Sequence, residues 1–216
     1  MSQPAGSPAR YNEIAGTSLD RLKAISDGIF SVAMTLLVLG LGVPALGLHP
    51  TEGELWGKLV GLAPSVLIYT MSFMTLGIFW VGQGVQLGQL ARSNRHFTWL
   101  QLAVLFTVTL LPFSTALLAN YHSLRVALVE YWLNLALFGL TALGAFEYGW
   151  RAGLFGESSP KTVARLVRGR VLIAQALYAF ATALSIVFPT WVSIALIVLV
   201  QLNYVVAPRI PILHRY

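Results

Sequence analysis

Three groups of polar side chains interrupt an otherwise apolar chain, and each could do chemistry in a low-dielectric setting. Arg21, Ser26 and Asp27 stand at the foot of a long apolar run, in which Ser31 and Thr35 are the only polar side chains from Gly28 to Val43. A carboxylate entering hydrocarbon needs a partner, because burying it unpaired is costly. Lys23 lies four residues before Asp27 and offers only a weak surface pair. On these residues alone, the foot reads either as an interfacial cap and anchor or as part of a functional network. Glu130 and Asn134 sit one helical turn apart. Acids inside a membrane mark ion or proton paths, but Glu130 is close enough to the end of its span that solvation is the stronger reading. Gln175, Gln201 and Asn203 suit hydrogen bonding between helices. Enzyme motifs are absent: there is no phosphate-cradling glycine loop, no HExxH and no GxSxG. There is no cysteine, and His49, His96, His122 and His214 form no helical pair at metal-ligand spacing. The expectation is a protein that is not an enzyme and carries no cofactor.

The element that must position the foot is the run itself. At 1.5 Å per residue, Ala24 to Val43 spans about 30 Å, the depth of a bilayer's hydrocarbon core. Its faces differ. Gly28, Val32, Thr35, Leu39 and Gly42 recur at helical spacing as a slender stripe, while the opposite side carries Ile29, Phe30, Met34, Leu37 and Leu41. A slender stripe with one hydroxyl suits a face turned toward other protein or a narrow pore. A packing seam against a neighbouring helix is the plainer alternative.

The rest of the chain repeats the pattern of long apolar spans. Charged residues make up 10 % of the sequence and the mean hydropathy is +0.72, against about 25 % charged in soluble domains. An all-α integral membrane protein follows. Six spans are expected: the first, then about 57–81 with a kink at Pro64, 97–119, 124–150, 171–188 and 191–207. Residues 1–16 read as a disordered tail, 17–208 as a single membrane domain and 209–216 as a second tail. Glu52 and Glu54 fall in the loop after the first span, and Arg151 to Arg170 form the longest polar link. Twelve of the fourteen Lys and Arg residues lie in the segments on one side, leaving Lys58 and Arg125 opposite. By the positive-inside rule both termini are cytoplasmic. The net charge of +6 is explained by this asymmetry, so no nucleic-acid partner is expected.

Arg21, Ile25, Ser26, Asp27 and Gly28, followed by Thr35 and Leu36-Leu37-Val38-Leu39, resemble the first helix of the bacterial homologues of the endosomal and lysosomal potassium channel called transmembrane protein 175. The segment Phe73, then Gly77-Ile78-Phe79-Trp80, adds a second, weaker likeness. The resemblance implies a homotetramer in which the first helix of each of four subunits lines a central pore. It places pore-facing layers at Val32, Thr35 and Leu39, three members of the stripe already found from spacing. It also implies a polar network at the foot from Arg21, Ser26 and Asp27, with Trp80 alongside. The family's Phe is Ile25 here. Its Trp-x-x-His-His is Trp80-Val81-Gly82-Gln83-Gly84, so Gln83 is the expected replacement for the missing histidine. The implied function is a potassium-permeable cation channel of a bacterial inner membrane, with potassium as permeant ion and with lipid and its own copies as partners. A proton channel of the same architecture and a non-conducting membrane scaffold are the alternatives.

Overall fold

The computed structural model describes residues 18–156 and 161–206. The two expected tails, 1–16 and 209–216, lie outside the described residues. The chain is all helical. Helix α1, Leu19–Leu36, opens on Ser18, whose backbone is extended and whose Oγ accepts the Arg21 N–H at 3.4 Å, with Asp20 in the first turn. Such caps satisfy an amide that would otherwise lack a partner, and the acid complements the helix dipole. The helix does not run unchanged to Val43. It tightens into a 3-10 turn over Leu37–Leu41 and stops at Gly42, whose φ of +34° favours glycine.

The segment expected as a loop is instead helix α2, Glu52–Gly61. Thr51 and Glu54 form a reciprocal capping box, with Glu54 N–H donating to Thr51 at 3.2 Å and Thr51 N–H to Glu54 at 2.9 Å. None of its residues is buried. Helix α3, Ala63–Gly88, begins with Pro64 in its first turn. Proline is tolerated there because its missing N–H is not needed. Pro64 therefore starts this helix and does not kink it.

Helices α4, Arg95–Asn120, and α5, Arg125–Arg151, pair along their lengths. Helix α6, Lys161–Ala183, begins well inside the expected polar link, so Arg165, Arg168 and Arg170 are helical residues. Helix α7, Thr190–Val206, completes the chain. Five helices among the described residues are long and apolar enough to cross a membrane, and Thr190–Val205 is a shorter apolar helix.

Packing follows the faces. α1 rests on α3 and α4, and α7 rests on α3 and α6. Phe30 and Ala33 of α1 and Leu37 of the 3-10 turn that follows it join Met71, Leu105, Leu111, Leu128 and Tyr131 in one continuous core. Phe79 and Phe138 stack at 3.8 Å between α3 and α5. At the end of the bundle that carries most of the basic residues, Leu22, Leu87, Leu90, Phe97 and Leu154 form a second cluster. A Cβ at Gly149 would stand 3.0 Å from Phe97 and 3.1 Å from Phe155, so any side chain there would push both rings back by a few tenths of an ångström.

Candidate functional site

The sides of α1 are sorted by the protomer. Phe30 and Leu37 are 1 % and 2 % exposed, whereas Val32 and Leu39 are 56 % and 73 % exposed. Gly28, Thr35 and Gly42 lie on the same uncovered side, and a Cβ at either glycine would meet open space. The bulky side anchors the helix by burying apolar surface. The slender side is left for something outside the protomer. A shallow groove of about 290 Å³ runs beside it, walled by Ile25, Gly28, Ile29 and Val32 of α1 and by Thr109 and Pro112 of α4.

The two hydroxyls on the run are spent in the same way. Thr35 Oγ1 donates to the Val32 carbonyl at 2.8 Å, and Ser31 Oγ donates to the Asp27 carbonyl at 2.7 Å. Each hydroxyl hydrogen is thereby turned back to the helix, which leaves the oxygen lone pairs as acceptors. An oxygen so oriented can meet a cation or a water hydrogen.

At the foot, Trp80 Nε1 donates to Asp27 Oδ1 at 2.8 Å and ties α3 to α1. Ser26 is buried against the bundle. Arg21 stands on the uncovered side, two turns below Gly28, and its guanidinium has no hydrogen bond or ion pair among the described residues. Gln83 differs from the sequence expectation. It is buried, and its Nε2 donates to Gln101 Oε1 of α4 at 2.7 Å. Three residues past Trp80 is about 300° of helical rotation, so the amide points to α4 and away from Asp27. A double-mutant cycle tests the tie. Trp80→Phe and Asp27→Ala should each lower the melting midpoint, with a coupling of about 1 kcal/mol between them. Additive losses would show that the contact carries no energy.

Of the other polar candidates, all but Asn203 form interior ties of the bundle; Asn203 makes no side-chain hydrogen bond among the described residues. Glu130 and Asn134 are brought together through Ser114: Ser114 Oγ donates to Glu130 Oε1 at 2.9 Å and accepts from Asn134 Nδ2 at 2.8 Å. Gln201 Nε2 donates to Thr75 at 2.6 Å, Thr75 meets the Tyr131 hydroxyl at 3.2 Å, and Ser72 donates to the same hydroxyl at 3.2 Å. Thr115 closes the series by donating to Ser72 at 2.8 Å. Tyr131 is thus the hub that joins α3 and α5, and reading the sequence missed it. Nothing in its own stretch marked it: Tyr131 follows Glu130, which the sequence placed near the end of the span. Among the described residues no cluster of acids and histidines could hold a metal.

Comparison with known proteins adds a separate line. The family model described as "Endosomal/lysosomal potassium channel TMEM175" matches residues 21–112. A potassium channel of Streptomyces collinus is 33 % identical over 172 residues, which cover 77 % of this chain and 82 % of that protein. A potassium channel of Chamaesiphon minutus is 40 % identical over 101 residues, 47 % of this chain and 49 % of its own. The fold is similar to the crystal structure of a lysosomal potassium-selective channel TMEM175 homolog from Chamaesiphon minutus. That likeness has a TM-score of 0.69 and 26 % identity, covering 88 % of this chain and 97 % of the other.

Proposed function

The chain belongs to the TMEM175 potassium-channel family, and from that premise we propose that four copies assemble with α1 of each around a central pore. The protein is a multi-pass membrane channel for potassium and not an enzyme. In the proposed assembly Val32 and Leu39 make two apolar rings, and Thr35 makes a hydroxyl layer between them. Six spans leave both termini in the cytoplasm of a bacterial cell, with the channel in the inner membrane. Arg21, Ser26, Asp27 and Trp80 hold the foot. Trp80 does so within the protomer, and Arg21, on the uncovered side, does so where copies meet.

The observation that carries this reading is the exposure of the slender stripe in a helix whose bulky side is buried at Phe30 and Leu37 and half-buried at Ile29, Met34 and Leu41. Lipid would cover such a helix adequately with large residues outward. Ile25, Leu36 and Val38 are exposed and could meet lipid, but Gly28, Thr35 and Gly42 are also outward and permit close approach of neighbouring backbones. The groove beside α1 gives room for side chains of an adjacent copy.

The mechanism follows from the rings. A dry apolar constriction excludes ions until it widens or wets. Thr35, with its hydrogen committed to Val32, presents only oxygen to the passage and so favours a cation partly stripped of water. Selectivity is then modest, since one hydroxyl layer replaces little of a hydration shell. Thr35→Ala should lower the potassium-to-sodium permeability ratio by roughly threefold, less than 1 kcal/mol of differential coordination, while conduction survives. Equal reversal potentials for variant and wild type would remove Thr35 from the selecting layer. Potassium flux into liposomes holding purified protein tests the channel itself, and pH-dye flux without potassium flux would instead mark a proton channel. A monomer by mass measurement, with no flux, would mark a scaffold.

A further inference from the structure

We propose that the crevice between α3, α5 and α6 is a seat for the acyl chain of an anionic inner-leaflet phospholipid, with the phosphate held at Arg170. A cavity of about 130 Å³ opens there, walled by Phe79, Gly82, Phe138, Ala142 and Ala174 among others. No residue of α1 lines it, so it is separate from the proposed pore. Its α3 wall runs from Ile78 to Gln86, about 12 Å along the helix axis at 1.5 Å per residue. An elongated apolar slot parallel to membrane helices matches an extended hydrocarbon chain.

The deep part of the slot is shaped by one packing choice. Gln175 lies across Gly139 and donates to the Leu135 carbonyl at 3.1 Å. A Cβ at Gly139 would sit 2.1 Å from the Gln175 nitrogen, so the glycine is what lets the amide lie flat. Gln175 Oε1 is buried and has no partner among the described residues.

Charge decides the headgroup. Arg168 on α6 is neutralised by a bidentate pair with Glu147, whose longer contact is 2.9 Å. Arg170 lines the crevice, is exposed, and has no carboxylate partner among the described residues. Its guanidinium lies 5.8 Å from the centre of the Tyr204 ring, which holds it over the slot while leaving donors free. A basic side chain at the cytoplasmic end of an apolar slot is complementary to the anionic lipids of that leaflet. The inference takes from the proposed function only which end of α6 is cytoplasmic, and its readout is lipid mass, independent of ion flux.

The test is native mass spectrometry of the full chain in mild detergent, with equal phosphatidylglycerol and phosphatidylethanolamine added. Wild type should retain one phosphatidylglycerol per subunit in preference to phosphatidylethanolamine. Arg170→Gln should cut that preference about fivefold. Gly82→Leu should lose bound lipid of either headgroup, because the new side chain occupies open space inside the slot. Ala174→Leu is a second filler, and elution of either variant at the wild-type volume shows that it has folded. Equal retention of the two lipids by wild type, or undiminished lipid on both filled variants, would overturn the proposal. So would displacement by soluble glycerol 3-phosphate as readily as by phosphatidylglycerol, since the site would then bind phosphate without the chain.

Discussion

Val32→Asn should raise potassium flux into proteoliposomes by about tenfold or more, because in the proposed tetramer four amides would replace four isopropyl groups at one ring and lower its wetting barrier by about 1.4 kcal/mol. The effect is large because the ring repeats: a few tenths of a kcal/mol of improved hydration per subunit is multiplied by four. The substitution is safe for the protomer. Val32 is 56 % exposed and contributes to no buried cluster, so folding does not depend on it. Potassium selectivity should fall at the same time, since a wetter passage strips less water from the ion. Flux equal to wild type would show that Val32 does not line the passage. Phe30→Asn is the matched control: Phe30 is 1 % exposed within the core, and this change should unfold the protein without opening a pathway.

Tyr131→Ala should be the most damaging single change to the bundle, at about 3–5 kcal/mol for the lost buried ring. The cost rises further because Ser72 and Thr75 both lose the hydroxyl they meet at 3.2 Å. Tyr131→Phe separates the contributions. It keeps the ring and removes only the hydroxyl, so the expected loss is about 1 kcal/mol, in line with hydrogen bonds between membrane helices. Thermal unfolding in detergent, followed by loss of the monodisperse peak on size exclusion, reads both. A Tyr131→Phe protein as unstable as Tyr131→Ala would mean that the hydrogen bonds, and not the packing, hold α3 to α5.

The sequence was most legible where physical constraints are local. The two faces of α1 and the apolar spans depend on neighbours within one or two turns, and each can be seen in a string of residue types. Partners across helices were harder. Asp27 demanded a partner, but the choice of Trp80 came from the family resemblance and its 2.8 Å bond came from the fold. Gln83 shows the limit most clearly: the spacing put it near Trp80 in sequence, whereas helical rotation aimed it at Gln101. The loops misled for a different reason. Hydropathy falls at Arg165, Arg168 and Arg170, yet a helix needs no apolar residues to close its own backbone bonds, and Glu147 supplies a counter-charge to Arg168 within α6. Likewise α2 is set by the Thr51 and Glu54 box, a two-residue signal inside a stretch that otherwise looked like a turn-rich connection. The Tyr131 hub depends on four helices meeting, and no single stretch of the chain records it.

The tightened turn at Leu37–Leu41 sets a ruler for anything that travels along α1. Four α-helical steps and three steps of 3-10 pitch put the levels of Val32 and Leu39 about 12 Å apart, rather than the 10.5 Å or so of an unbroken α-helix. A bare cation is far smaller than that interval. In the proposed pore the two rings are then cleared one after the other, with a resting place between them at the depth of Thr35, and wetting one ring leaves the other still in place.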